Sequence, residues 1–332
     1  MSYNIAGLPP VLNINPPLAR ISAICDWLLA SDYDVVLLQE AFFSKWSRAV
    51  VDILDGALPA RFPYIVGGAL PGRARLSSGL YVASRYPITF AEAVHYSGVG
   101  SDKLAHKGCV AVGLDLGGGN VVAAFTSHTQ SDKLWDPLWW FTSNERAVAT
   151  RQAQIDIMAR FIREKMEKTQ NTIASVLLGD LNYSGESVVS RTGAPGTPEE
   201  RLVLAPTEEY GVVQGKFQKE GLRAVDVFRQ KHPIREGEPM SYAAAGLTSD
   251  AVVNCDSGGE AKRLDFCYLI GPEGRPEGLR LTDARMLVNE WKAEPAGERA
   301  ARLKKNPGDE RLKCLSDHSG LAVEFEVVPP PR

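Results

Sequence analysis

A chain of 332 residues, 44% of them hydrophobic, can bury a substantial core, so disorder is not its expected state. Its formal net charge is only −3, without the overall basic bias that favours duplex phosphate backbones, so nucleic acid is not the expected partner. The five scattered cysteines, Cys25, Cys109, Cys255, Cys267 and Cys314, lack CxxC spacing and are too few and odd for a disulfide framework, and no run of about 18 apolar residues is present to span a bilayer.

In chain order, the first motif is SYNIAGLP, and Met1 falls almost inside it, which leaves room for natural polypeptide upstream. The residues there are not a charged segment followed by an apolar run, so a secretory leader has no support and a cytoplasmic or peripheral-membrane location is the default expectation. Residues 17–30 carry apolar side chains at three- and four-residue spacing and read as a helix. Apolar, β-branched runs at 34–42, 78–85, 107–116 and 121–130 read as strands. A long helix follows at 144–168, with Ser143 or Asn144 as its N-cap. Further strands are expected at 174–181, 263–270 and 318–327. Three stretches rich in Gly, Pro, Ser or charge, 131–142, 184–221 and 235–262, are expected to be irregular. This order suits an α+β fold of two packed mixed sheets with helices outside, in one domain over 1–328 followed by a short Pro-rich tail at 329–332.

Polar residues recur at the carboxyl ends of the apolar runs: Asn4, Glu40 after DVVLLQ, His128 after VVAAFTS, Asp180 and Asn182 around SVLLGDLN. Asp265 lies inside RLDFCYLI, and Asp317 with His318 opens the last strand in SDHSG. Each alone is more often a cap or a satisfied partner than a catalyst; the set carries the weight. Glu40 and Asp265 are the sharper members, because a carboxylate beside or within a buried strand costs free energy unless paired or metal-bound. Carboxylates and carboxamides with few nitrogens and no thiolates suit magnesium, with manganese next, rather than zinc.

In order and spacing, SYNIAGLP, LLQEAF, SHTQ, GDLN, RLDF and SDHSG resemble the signature of the endonuclease/exonuclease/phosphatase superfamily, which includes DNase-type nucleases, inositol polyphosphate phosphatases and neutral sphingomyelinases. The resemblance implies a DNase I-like four-layer α/β sandwich and a magnesium-dependent phosphodiesterase. Within the superfamily, SDKLAHKG after SRYPI resembles the sphingomyelinase pattern of Asp, four residues, Lys-Gly, with Asp102 and Lys107 on it and Arg151 and Gln154 in the following helix. Inositol phosphatases fit less well, since LLGDLN lacks the Trp and KRLDF the Cys-Asp-Arg expected of them.

Carried over by that resemblance, Glu40 binds the metal and Asn4 helps hold metal or phosphate. His318 is the general base and Asp265 orients it. Asp180 positions the water, Asn182 the phosphate, and His128 contacts the leaving oxygen, with Asp317 in support. Lys107 and Asp102 bind or gate the substrate, a sphingolipid. The aromatic cluster Trp135, Trp139, Trp140 and Phe141 is read two ways, as core packing or as a wedge into a membrane interface. Two other classes stand against this: a magnesium-dependent nuclease with the same centre, and a catalytically silent binding module.

Overall fold

The computed structural model describes residues 1–7, 17–44, 47–67, 76–132, 143–169, 171–194, 197–249, 261–272, 278–287 and 315–328. One six-stranded sheet contains β1 (Ser2–Asn4), β2 (Val35–Gln39), β3 (Tyr64–Gly67), β4 (Tyr81–Ser84), β14 (Leu279–Leu287) and β15 (Gly320–Val327), in the order β14-β15-β1-β2-β4-β3. The second contains β5 (Ile88–His95), β6 (Gly108–Asp115), β7 (Val121–His128), β8 (Thr172–Asp180), β11 (Leu222–Asp226) and β13 (Asp265–Pro272), in the order β11-β13-β8-β7-β6-β5. A small third sheet joins β9 (Glu186–Thr192), β10 (Arg201–Pro206) and β12 (Met240–Ser241). Motifs from both ends of the chain meet because β1 lies between β15 and β2.

The layering follows from the two-residue period of a strand. On β2, Leu37 faces the second sheet while Val36 and Leu38 face α1 (Pro17–Ala30) and α2 (Ala49–Ala57), where Ile21, Ile24, Leu28, Val50 and Leu54 are buried. On β8, Val176 and Leu178 face the first sheet, and Leu177 faces α3 (Asn144–Lys168) and α4 (Glu208–Lys219) through Ile155, Met158, Ile162, Val213 and Phe217. Helix, sheet, sheet, helix is the four-layer sandwich expected from the sequence. Ser143 caps α3, its Oγ accepting from the Arg146 N–H at 3.3 Å.

The stretch 184–221 is not irregular; it holds β9, β10 and α4. Its strands pair into the small sheet, where β9 is mostly exposed and so shows no apolar run, and α4 buries only Val213 and Phe217 and carries two glycines. Within 235–262, β12 and α5 (Tyr242–Ala245) are regular, and the remainder is in part outside the described residues. The aromatic cluster Trp135, Trp139, Trp140 and Phe141 also lies outside them.

A buried ion cluster fastens the small sheet to the second large one. The Arg263 guanidinium donates to Glu186 Oε2 at 2.8 Å, Glu186 Oε1 at 2.7 Å and Asp226 Oδ2 at 2.7 Å, and Arg229 Nε donates to Glu186 Oε1 at 2.8 Å. Removing one partner leaves buried charge without compensation, so Arg263→Met is expected to cost about 3–5 kcal/mol in urea unfolding. Burial alone would raise the Glu186 carboxyl, but Arg263 and Arg229 overcome it and hold it down from 4.5 to about 2. A depressed folded value contributes stability that is full above about pH 4.5 and lost as pH falls toward 2, on the order of 3 kcal/mol here. Denaturation curves between pH 5 and 2 should show that loss in the native protein and a much smaller one in Arg263→Met.

Candidate active site

Register sets the site. β7 and β8 run parallel with His128 opposite Asp180, and β8 and β13 antiparallel with Asp180 opposite Asp265, so three polar residues stand in one row across three strands. They share the inward face of the second sheet with Ala124, Leu178 and Cys267, as the two-residue period requires. In the first sheet Ser2 and Leu37 pair on the inward face, and Asn4 follows two residues on with the same orientation. Gln39 spans the gap, its Nε2 donating to Thr126 Oγ1 at 3.0 Å and to Ser2 Oγ at 3.1 Å.

Glu40 follows an inward residue, so in extended backbone it would face the helices. Its φ of 60° instead turns the chain, and it meets Asn4 at the gap. Ala6 at 46° and Asn182 at 51° share the left-handed region. Ala6 and Glu40 are the strained members, since Asn tolerates this region, and such strain clusters at functional sites. Gly7 allows the approach, since a Cβ there would stand 2.6 Å from the Glu40 carbonyl oxygen.

One carboxamide joins the half-buried carboxylate of Glu40 to the buried one of Asp180. Asn4 Nδ2 donates to Glu40 Oε1 at 3.1 Å and to Asp180 Oδ2 at 2.9 Å, while Asn4 Oδ1 accepts from the Ala6 N–H at 3.0 Å. His318 Nδ1 lies 2.8 Å from Asp265 Oδ2, which leaves its Nε2 pointing to Asp180 Oδ2 at 3.8 Å. His128 Nε2 is 3.6 Å from the same Asp180 atom and 4.0 Å from Glu40 Oε1. Ser316 Oγ donates to the Asn4 carbonyl at 2.6 Å and accepts from the His318 N–H at 3.2 Å, so the first and last motifs are tied directly. Thr248 Oγ1 accepts from the Asp265 N–H at 3.2 Å.

Lys107 and Asp102 stand at the edge of this cluster. Lys107 Nζ donates to Asp102 Oδ2 and to the Thr129 carbonyl, both at 2.9 Å, and Asn182 Nδ2 donates to that same carbonyl at 3.1 Å. Asp102 Oδ2 also accepts from the Ser131 N–H at 2.9 Å. From α3, Gln154 Oε1 accepts from the Gln130 N–H at 2.7 Å, and Arg151 donates to the Gln130 carbonyl at 3.0 Å and bridges to Asp132 and Glu209. The long helix therefore fixes the strand-end peptide on which Lys107 and Asn182 rest. Thr129, Gln39, Ser316 and Thr248 were not singled out from sequence. Thr129 acts through a backbone carbonyl, and the others are hydroxyls or an amide whose partners lie far along the chain.

Burial governs the electrostatics. It raises Glu40 to about 7, with the Asp317 charge adding to the effect, and raises Asp180 to about 6. His128 is pushed well below 6.5 by burial first and then by the charges of Lys107 and His318, so it is neutral at pH 7. Burial also opposes charge on His318, but Asp265 and Asp180 outweigh it and raise it well above 6.5. Buried carboxylates crowded in this way call for a cation. The donor atoms of Asp180, Asp265 and His318 lie within 4.8 Å of one another, and Asp265 Oδ1 and His128 Nδ1 are buried with no hydrogen-bond partner among the described residues. His318 takes Asp265 Oδ2 but leaves Oδ1, so Glu40, Asp180 and Asp265 Oδ1 are the carboxylate oxygens that could hold a hard divalent ion. Asn4 offers it an oxygen only by giving up Ala6.

Among curated proteins, a putative neutral sphingomyelinase of Drosophila melanogaster is 29% identical over 196 residues, matching 57% of this chain and 40% of the relative. The chain spans less than half the length of the curated relatives it matches. Among solved structures, SmcL is 18% identical with a TM-score of 0.62, covering 98% of this chain and 96% of its own. Staphylococcus aureus beta toxin with bound magnesium ions is 17% identical with a TM-score of 0.58, covering 99% and 98%. D. rerio TDP2 with a single-strand DNA product is 16% identical with a TM-score of 0.59, covering 98% and 97%. These likenesses establish the DNase I-like fold. With residues 1–318 matching its pattern, the chain belongs to the Endonuclease/Exonuclease/phosphatase family.

Proposed function

We propose that the protein is a magnesium-dependent phosphodiesterase of the phospholipase C type that hydrolyses sphingomyelin to ceramide and phosphocholine. The observation that carries the substrate class is the chain of contacts from Asp102 through Lys107 and the Thr129 carbonyl to Asn182, which sets a cation and an amide beside the row of His128, Asp180 and Asp265. Its support is the sphingomyelinase-like spacing of Asp102 and Lys107 and the putative sphingomyelinase relative.

Asp265 and Asp180 favour the imidazolium of His318, so it acts as a base only in its neutral form, whose share grows with pH and with a cation offsetting the Asp180 charge. Nε2 then takes a proton from water while Asp265 holds Nδ1–H and stabilises the imidazolium that forms. Asp180, 3.8 Å from that nitrogen, aligns the water. The water oxygen bonds to phosphorus as the bond from phosphorus to the ceramide oxygen breaks. Neutral His128 donates a hydrogen bond to the leaving oxygen, and Asn182 and Lys107 hold the non-bridging oxygens. Glu40, with Asn4 adjoining, would hold magnesium, which would supply charge neutralisation at the phosphoryl group. Asp317, half-buried beside Ser316, supports the position of His318.

A nuclease using the same residues is the second reading, favoured by the TDP2 likeness. The test is phosphocholine release from sphingomyelin vesicles beside cleavage of single-stranded DNA, each with magnesium and with EDTA. Lipid turnover that EDTA abolishes and that Asp102→Ala lowers at least about tenfold is expected. DNA cleavage without lipid turnover would move the same residues to the nuclease reading, and full activity of Asp102→Ala would remove the pair from substrate handling.

A further inference from the structure

Thr248 is buried beside the Asp265–His318 pair and bonds to the backbone at both members. The short helix α5 ends at Gly246, whose φ of 69° turns the chain where a Cβ would stand 2.3 Å from the Phe228 ring. Leu247 then enters the core, and Thr248 follows. Peptide bonds fix it in place: its N–H donates to the Lys262 carbonyl at 3.0 Å, and its carbonyl accepts from the Ser319 N–H at 2.8 Å, one residue past His318. Its hydroxyl serves the other strand. β11 pairs with β13 from Tyr268 to Pro272, so β11 does not cover the start of β13. There Thr248 Oγ1 accepts from the Leu264 N–H at 2.9 Å and from the Asp265 N–H at 3.2 Å.

We propose that Thr248 is a positioning residue that sets the spacing of Asp265 and His318. Its carbonyl holds the chain at His318 and its hydroxyl holds the chain at Asp265, so His318 Nδ1 and Asp265 Oδ2 stay 2.8 Å apart. The proposal rests on the reading of His318 as the base. A side chain of the same shape without an acceptor keeps the peptide bonds to Lys262 and Ser319 and releases the amides of Leu264 and Asp265. The start of β13 then shifts against His318, and a misplacement of about 1 Å at a reacting centre costs roughly 10²-fold in rate.

The test compares Thr248→Val, which keeps the shape and removes the acceptor, with Thr248→Ser, which keeps the hydroxyl, and Thr248→Cys, whose sulfur is a weak acceptor. On a soluble phosphodiester with magnesium, Thr248→Val is expected to lose at least about tenfold in kcat with KM within about twofold, while Thr248→Ser keeps at least about half of kcat. In the metal-free protein, ¹⁵N-histidine spectra should keep the His318 Nδ1–H signal in Thr248→Ser and lose it to exchange with water in Thr248→Val. Native kcat in Thr248→Val, a loss in KM alone, or an intact Nδ1–H signal would each overturn the proposal. If Thr248→Val folds poorly, Thr248→Cys matching Thr248→Ser in both readouts overturns it instead. Should the native protein turn over no phosphodiester, the proposed function fails, and the Nδ1–H signal alone decides the role of Thr248.

Discussion

His318→Ala is expected to lower kcat for phosphodiester hydrolysis by about 10³- to 10⁴-fold with little change in KM, because the water then has no base at the reacting position. The imidazole presents Nε2 only because Asp265 Oδ2 holds Nδ1 at 2.8 Å, so Asp265→Asn should lose much of the same rate by stabilising the wrong tautomer. The double variant should be little worse than His318→Ala, since the two act as a unit. Steady-state kinetics on sphingomyelin vesicles and on a soluble phosphodiester test this. Retention of more than a tenth of kcat by His318→Ala would contradict the assignment.

Glu40→Gln is expected to weaken magnesium binding by at least about 10- to 100-fold in isothermal titration. The pH dependence carries a sign. In the metal-free protein Glu40 titrates near 7 and Asp180 near 6, each raised by burial, so both bind protons that the ion must displace. Affinity therefore rises with pH through both values and levels off only above about pH 8, where Glu40 is ionised. Titrations at pH 6.5 in two buffers of different ionisation enthalpy should show proton release on magnesium binding, and less of it in Glu40→Gln. Equal heats in both buffers for the native protein would contradict the placement of the ion.

The parts of the fold that the sequence made legible are those where burial is two-sided. β6, β7, β8 and β13 are almost wholly buried and appear as apolar runs. β9 and α4 did not, because most of their residues meet solvent. The run at 34–42 read too long because Gln39 ends the strand and Glu40 turns left-handed, a backbone property with no composition signal. His128, Asp180 and Asp265 were visible as strand-end polar residues, whereas their alignment in one row depends on pairing between distant strands. Contacts such as Gln39 to Thr126, 87 residues apart, exist only once two sheets face each other.

The most direct test is hydrolysis of sphingomyelin vesicles with magnesium in ¹⁸O-labelled water, followed by mass analysis of both products. One labelled oxygen in phosphocholine and none in ceramide is expected, with no release in His318→Ala, because water activated by His318 attacks phosphorus and the ceramide oxygen leaves. Label in the ceramide hydroxyl, or no magnesium-dependent phosphocholine at all, would contradict the account.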